Sequence, residues 1–140
     1  MQLTDIWKTL SNEYIVDWKN QGKRVIGYYC TSVPQEIIHA AKMLPYRIRG
    51  TECTDTALAD SILSKLNCSF VRCSLNLAMK GKYNFLDGVA DTNQCDHARR
   101  MYDIWKLKLA KNFPNDFFLG YLSVPHLVTD DGEKWFKDEI

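Results

Sequence analysis

Cysteines are the residues of this sequence best suited to chemistry, and two of the five stand where a helix is expected to start. Cys68 lies at the junction of two predicted helices, and Cys95 opens a long predicted helix after a predicted strand. A thiolate at a helix start is stabilised by the helix dipole and by the free amide donors of the first turn. Because thiolate sulfur is a soft ligand, the candidate metal sites are an iron–sulfur cluster, zinc or copper.

The spacing of these cysteines does not by itself indicate a metal. The sequence contains neither a C-x-x-C pair nor a compact run of four cysteines. By spacing alone, the better interpretation of Cys68 and Cys95 is two buried, inert thiols.

A structural zinc site built from Cys68, Cys73, Cys95 and His97 is a weaker alternative. Cys68 and Cys73 would lie about 140° apart around one helix, so both could reach one ion only if the helix begins between them. His97 follows Cys95 by two residues, which is an awkward spacing for two ligands on a helix. Zinc therefore ranks below an iron–sulfur site.

Polar segments follow each predicted strand at its carboxyl end, where ligands bind in open α/β sheets. The segments are 30–32, 50–52, 91–95 and 123–126. Ordinary loops are also polar, and their side chains often do no more than cap helices. The polar segments are therefore consistent with a ligand-binding site and equally with ordinary loops. The glycine-rich phosphate loops of nucleotide sites are absent from the sequence.

The elements that position these residues alternate between extended and helical patterns. The predicted strands are Val25–Tyr29, Tyr46–Arg49, Phe85–Ala90 and Phe117–Leu122. The predicted helices are 3–18, 32–44 with a Ser32–Gln35 capping box, 58–66, 70–78, 98–109 and one that starts at 130. Strands separated by helices favour a parallel sheet with helices on both faces. We therefore predict an α/β fold with a mainly parallel sheet of about four strands.

Composition narrows the class of protein. The 140 residues are the size of one domain, and 46% hydrophobic with 25% charged residues is typical of soluble globular proteins. The formal net charge of +1 lacks the basic excess of a nucleic-acid-binding protein. Neither a signal peptide nor an apolar run long enough to span a membrane is visible in the sequence. We therefore expect a cytoplasmic chain, with its cysteines as thiols or metal ligands rather than disulfides.

Several short segments, taken together, resemble the benzoyl-CoA reductase and 2-hydroxyacyl-CoA dehydratase family. In chain order they are 27–41 (GYYCTSVPQEIIHAA), 44–45 (LP), 47–52 (RIRGTE), 67–72 (NCSFVR), 85–88 (FLDG), 93–105 (NQCDHARRMYDIW) and 124–126 (VPH). The similarity runs in order from about Val25 to His126 and is specific in combination. The block that contains Cys95 is slightly more similar to the reductases.

The resemblance implies a site and a larger protein. Subunits of this family contain two Rossmann-like α/β domains, so the chain resembles the amino-terminal part of one subunit, with the second domain absent. A [4Fe–4S] cluster is implied at Cys68 and Cys95, with a further cysteine ligand from the later domain. Ser32 and Glu52 fall where the family places polar residues near the thioester, and they are the implied catalytic residues.

The resemblance also implies a reaction. An ATP-dependent iron–sulfur activator injects one electron at low potential, and the cluster relays it to the carbonyl of an acyl-CoA thioester, which becomes a ketyl radical anion. Dehydratases then expel a hydroxyl group, whereas benzoyl-CoA reductase reduces the ring to a diene. The enzyme also needs a homologous partner subunit. The alternative is a non-catalytic α/β paralogue that retains a subunit-pairing surface.

Two further expectations can be checked in a structure. The sulfurs of Cys68 and Cys95 should lie roughly 6–7 Å apart if they share one cluster. The last predicted helix reaches Ile140 without later residues to bury Trp135 and Phe136, so we expect an exposed apolar patch there, of the kind that marks a lost domain contact.

Overall fold

Four strands form one parallel sheet in the computed structural model, which describes Ile6 and residues 8–140. The strands are β1 (Val25–Tyr28), β2 (Leu44–Arg47), β3 (Gly88–Thr92) and β4 (Phe118–Leu122). They lie in the order β2-β1-β3-β4, and every neighbouring pair is parallel. The predicted α/β fold with a parallel four-stranded sheet is therefore confirmed.

The described residues also form six α-helices. They are α1 (Glu13–Asn20), α2 (Gln35–Ala40), α3 (Ala57–Asp60), α4 (Ser69–Met79), α5 (Asp96–Ile104) and α6 (Asp130–Glu139). Helix α5 continues into a π-helical segment, Trp105–Leu109, and a 3-10 turn, Ala110–Asn112. None of the helices in this part of the chain is long and apolar enough to cross a membrane. The predictions for α4 and for the helix at 98–109 are confirmed.

The first predicted helix, 3–18, is interrupted. Ile6 is helical, residues 8–12 are not helical, and residues 3–5 and 7 of that prediction lie outside the described residues. Helix α1 begins at Glu13, since the Asn12 side chain caps it by accepting a hydrogen bond from the Ile15 amide at 3.2 Å.

The helix predicted for 32–44 ends early. Pro34 occupies the N-cap position without a side-chain cap, so the Ser32–Gln35 capping box is wrong. Helix α2 ends at Ala40, and Lys42 adopts a left-handed φ of 59° that turns the chain into β2. Pro45 lies in β2, which is an edge strand and therefore tolerates a residue without an amide donor.

The helix predicted for 58–66 is a single turn, α3. Its last residue, Asp60, forms a partly buried ion pair with Arg72 on α4 at 2.7 Å.

The strand predicted for 85–90 begins later, at Gly88. A Cβ atom at Gly88 would lie 2.6 Å from the Phe118 Cβ, so glycine permits the close approach of β3 and β4.

The two faces of the sheet are covered differently. On the first, which we call the closed face, α1, α4 and α5 pack with strand residues such as Val25 and Val89 into the main hydrophobic core. On the second, the open face, a small cluster joins Ile26 and Tyr28 of β1 to Ile38 of α2.

A groove of about 300 Å³ runs along the open face. Its lining is mostly apolar and includes Ile26, Val33, Ile37, Ala90, Phe118 and Ile140. Near the C-terminus Trp135 is 45% exposed and Ile140 56% exposed, while Phe136 is half-buried. The expected exposed apolar surface is therefore present, although Phe136 contributes less to it than predicted.

Candidate functional site

The strand order creates a crevice at the carboxyl ends of β1 and β3. The chain goes from β1 to β2 on one side, and β3 then pairs with β1 on the other side. In open α/β sheets such a change of direction is where ligands bind. The segments that follow β1 and β3 contain Cys30 and Cys95, so the polar strand exits singled out from the sequence lie at one edge.

Cys68 and Cys95 occupy equivalent positions on two neighbouring helices. Cys68 is the N-cap residue of α4, and Cys95 is the N-cap residue of α5. The Cys95 sulfur accepts a hydrogen bond from the Ala98 amide at 3.4 Å, whereas the Cys68 sulfur accepts no capping hydrogen bond from the described residues. Both side chains are exposed, so the interpretation of two buried, inert thiols is wrong.

A hydrogen bond between side chains connects the two helix starts. His97 Nδ1 lies 3.0 Å from Asn67 Oδ1. Asn67 directly precedes Cys68, and His97 follows Cys95 by two residues, so the bond brings the two cysteine-bearing segments together. Helices α4 and α5 are also in contact with each other.

The other cysteines do not complete a zinc site. Burial, followed by the neighbouring Cys53 thiol, raises the pKa of Cys73 to about 11, which identifies Cys73 as a neutral thiol beside Cys53. The Cys53 sulfur donates to the Asp55 carbonyl at 3.1 Å. Across the part of the chain that the structure describes, no three His, Cys, Asp or Glu side chains are grouped to hold a metal ion. The zinc alternative therefore has no support.

The donor set of Cys68 and Cys95 suits part of an iron–sulfur cluster. Two exposed thiols at two tied helix starts offer soft ligands on one side of the crevice, and clusters of this type are usually held by four cysteines. The remaining ligands are not found among residues 8–140. The separation of roughly 6–7 Å between the two sulfurs stays a prediction.

Ser32 and Glu52 lie beyond different strands. The Ser32 hydroxyl is 3.7 Å from the Cys30 sulfur, just after β1. Glu52 follows β2 in a left-handed conformation, with φ at 70°, and its carboxylate accepts from the Leu10 amide at 3.0 Å and from Lys82 Nζ at 3.4 Å. The Leu10 hydrogen bond is the main cause that lowers the pKa of Glu52. No hydrogen bond within the described residues joins Ser32 to Glu52, and their catalytic roles stay predictions.

Asp91 is a buried carboxyl that the sequence placed in the polar segment 91–95, without indicating that it is buried. It is the fourth residue of β3, and its Oδ1 accepts from the Thr92 amide at 2.8 Å. Asp91 Oδ2 and Thr92 Oγ1 have no hydrogen-bond partner among the described residues. Burial raises the pKa of Asp91 to about 7, so this carboxyl changes charge near neutrality. The predicted strand ended at Ala90, so only the structure, in which β3 runs to Thr92, places this carboxyl inside a strand.

An aromatic layer lies next to this carboxyl under the crevice. Trp105 Nε1 donates to the Tyr29 hydroxyl at 2.9 Å, and Phe70 of α4 contacts the Tyr29 ring in an edge-to-face arrangement. Burial raises the pKa of Tyr29, with a smaller contribution from Asp91. Tyr29 and Asp91 therefore lie within electrostatic reach of each other.

Comparisons with known proteins identify the family of this chain. The family described as "2-hydroxyglutaryl-CoA dehydratase, D-component" matches residues 30–140, a range that contains β2, β3, β4 and both cysteines of the crevice. One of the subunits of benzoyl-CoA reductase from Thauera aromatica is 32% identical over 127 residues, which are 88% of this chain and 32% of that relative.

Subunits of two dehydratases are also similar. The (R)-2-hydroxyglutaryl-CoA dehydratase subunit beta from Acidaminococcus fermentans is 27% identical over 71% of this chain and 26% of that relative. The (R)-phenyllactyl-CoA dehydratase beta subunit from Clostridium sporogenes is 31% identical over 68% of this chain and 25% of that relative. The chain thus spans between a quarter and a third of the length of these relatives. Because the family matches well over half of the chain, this protein belongs to the 2-hydroxyglutaryl-CoA dehydratase D-component and benzoyl-CoA reductase family.

Proposed function

We propose that this chain is the amino-terminal part of a subunit of a cytoplasmic iron–sulfur enzyme that transfers one electron at a time to acyl-CoA thioesters. In this proposal Cys68 and Cys95 are ligands of a [4Fe–4S] cluster. A second α/β domain supplies a further cysteine. A homologous subunit and an ATP-dependent iron–sulfur activator are the partners, and the reaction is of the benzoyl-CoA reductase or 2-hydroxyacyl-CoA dehydratase type.

The observation that carries the proposal is the pairing of two exposed, cysteine-capped helix starts at the crevice between β1 and β3. This pairing lies within the region that matches the family. The relatives are named for benzoyl-CoA, 2-hydroxyglutaryl-CoA and phenyllactyl-CoA, which have different acyl groups and the same thioester. The shared thioester therefore supports the substrate class but not a particular acyl group.

The residues of this chain would act on the thioester through position and charge. A bound cluster would supply low-potential electrons to the thioester carbonyl. Helices α4 and α5 begin at the crevice, where their first-turn amides would stabilise negative charge on the substrate oxygen. Ser32, at the exit of β1, is the proposed hydrogen-bond donor to that oxygen, and Glu52 is a proposed polar contact at the exit of β2.

Replacement of the two cysteines in the intact subunit tests the proposal. Cys68→Ala and Cys95→Ala should each remove a cluster ligand and abolish activator-dependent turnover of acyl-CoA substrates. Iron and sulfide analysis of anaerobically purified protein measures the cluster, and assays with benzoyl-CoA and with 2-hydroxyacyl-CoA thioesters distinguish the two reaction types. Full activity of the Cys95→Ala enzyme would contradict the iron–sulfur assignment.

Cys73→Ala is the matched control. Cys73 lies on α4, five residues after Cys68, but its thiol neighbours Cys53. The substitution should cost about 1 kcal/mol of stability from altered packing and leave the cluster content unchanged. Loss of iron from Cys73→Ala equal to that from Cys68→Ala would show that the two thiols cannot be distinguished in this way.

A second candidate is a non-catalytic domain that pairs with a larger subunit. The apolar groove on the open face favours it, because an exposed apolar surface of this kind is suited to a protein contact. The gene sequence downstream of the Ile140 codon distinguishes the two candidates. A reading frame that continues into a further α/β domain with another cysteine supports the enzyme, whereas a stop codon without neighbouring partner or activator genes supports the pairing domain.

A further inference from the structure

We propose that Asn67 and His97 form a positioning clamp that sets the separation of Cys68 and Cys95. The use of the clamp for cluster binding rests on the proposed function above, but the clamp itself rests on geometry. Its hydrogen bond joins residues 30 positions apart in the sequence at a distance of 3.0 Å. Both side chains are half-buried, so water competes for this hydrogen bond less than at an open surface.

The donor and the acceptor of this bond are determined by a second contact. The side-chain Nδ2 of Asn67 donates to the Ser64 carbonyl at 2.9 Å, and the backbone N–H of Asn67 donates to the same carbonyl at 2.9 Å. The bond from Nδ2 orients the side-chain amide so that its Oδ1 faces His97. His97 Nδ1 therefore carries the hydrogen and donates it to Asn67 Oδ1.

The position of the clamp in the chain connects it directly to the thiols. Asn67 is adjacent to Cys68, and His97 is the second residue of α5, which Cys95 caps. Displacement of either clamp residue must therefore move a cysteine. The effect should be greater for Cys68, because the Ala98 amide already holds the Cys95 sulfur at 3.4 Å.

The segment before Cys68 needs such a restraint. Between α3 and α4 the chain forms turns rather than a helix, and Leu66 is almost fully exposed. The Asn67–His97 bond attaches the end of this segment to the start of α5. A multi-thiolate ligand site benefits from thiols held near their final separation, since ordering them on binding would weaken the site. Asn67 and His97 are thus positioning residues, which act through Cys68 and Cys95.

Bridging of the two thiols by a short bifunctional reagent tests the clamp without any cluster. The reduced protein, free of oxygen, is treated with dibromobimane, and mass spectrometry of digested protein quantifies the bridged peptides that contain Cys68 and Cys95. We expect His97→Ala and Asn67→Ala to slow bridging by about fivefold, the factor that matches the loss of one ordinary hydrogen bond. His39→Ala on the exposed side of α2 is the matched control and should bridge at the wild-type rate.

A conservative variant separates the clamp from general damage to the fold. Asn67→Asp keeps an acceptor oxygen for His97 but loses the donation to the Ser64 carbonyl, so it should bridge more slowly than the wild type and faster than Asn67→Ala. A rate for folded Asn67→Asp no higher than that of folded Asn67→Ala would overturn the clamp. Urea unfolding of each variant reports whether the fold is retained.

The same variants, made in the intact subunit, separate this inference from the proposed function. Clamp-dependent bridging in a subunit that holds no iron or sulfide would support the clamp and overturn the iron–sulfur function. Wild-type bridging rates in both His97→Ala and Asn67→Ala would overturn the clamp and leave the proposed function intact. Absence of Cys68–Cys95 bridging in the wild-type protein would overturn the clamp as well.

Discussion

On the closed face of the sheet, α1, α4 and α5 bury Trp105 and Leu75 completely, whereas on the open face Phe118 of β4 lines the groove and stays 50% exposed. Both helices that begin with a candidate ligand, α4 and α5, pack on the closed face. Dense packing there fixes the directions of α4 and α5 and so positions Cys68 and Cys95. The open face contributes less to the core and presents an apolar groove that is suited to a protein contact.

The largest difference in free energy of unfolding should appear when a large side chain is removed from each face in turn. Trp105→Ala on the closed face loses the hydrogen bond to Tyr29 and the stacking on Phe117, and it should cost about 3–5 kcal/mol. Ile37→Ala on the open face should cost about 1 kcal/mol or less, because Ile37 is already 44% exposed. Urea unfolding followed by circular dichroism measures both. Equal losses would contradict the comparison of the two faces.

The next largest effect should be the pH dependence that Asp91 gives to stability. Burial raises the pKa of Asp91 from 3.8 to about 7, so the folded chain holds a proton that the unfolded chain releases. The contribution of Asp91 to the free energy of unfolding is fully present below its pKa in the unfolded chain and is lost as the pH rises through its pKa in the folded chain. Between about pH 5 and about pH 8, the free energy of unfolding should therefore fall by about 2–3 kcal/mol.

Asp91→Asn is the control for this pH effect, since an amide of the same shape does not ionise. Its free energy of unfolding should vary much less over the same pH range. The carboxyls of Glu52, Asp55 and Asp60 have lowered pKa values and lose their contribution at more acidic pH, outside this range. An unchanged slope in Asp91→Asn would assign the pH dependence to another group.

A smaller effect should appear in the binding of a hydrophobic dye. The groove on the open face should bind such a dye, and Ile37→Gln should reduce the fluorescence because Ile37 lines the groove. Leu107→Gln is the control, since Leu107 is 73% exposed but does not line the groove. In the subunit of the proposed function, coverage of the groove by another part of that protein should lower dye binding below that of this chain. Equal dye binding by that subunit and this chain would mean that the groove is not covered there.

The smallest expected effect concerns the cap of α6. Thr129 accepts a hydrogen bond from the Gly132 amide at 3.1 Å and so caps α6. Thr129→Ala should lower the local stability of α6 by about 1 kcal/mol. Hydrogen exchange should show faster exchange in α6 and unchanged exchange in α5. Acceleration throughout the sheet would mean that α6 is part of the cooperative core.

Much of the fold was predictable from local patterns. The alternation of apolar strands with periodic helices indicated the parallel sheet, because such periodicity follows from which face of an element is buried. Cys68 and Cys95 were also placed correctly at helix starts. The start of α1, both ends of α2 and the end of α3 were predicted wrongly, since caps such as Asn12 and left-handed turns such as Lys42 determine where a weak helix begins or ends.

Local patterns were thus sufficient for the α/β class, the two cysteine-capped helices and the family. Packing of the chain in three dimensions determines which side chains meet, as with His97 and Asn67 across 30 residues, and which are covered, as with Asp91. The physical reason is that burial and long-range hydrogen bonds depend on strand order, and strand order is set by the packing of the whole sheet rather than by any local pattern. The exposure of Cys68 and Cys95, on which the proposed chemistry depends, is likewise determined by three-dimensional packing.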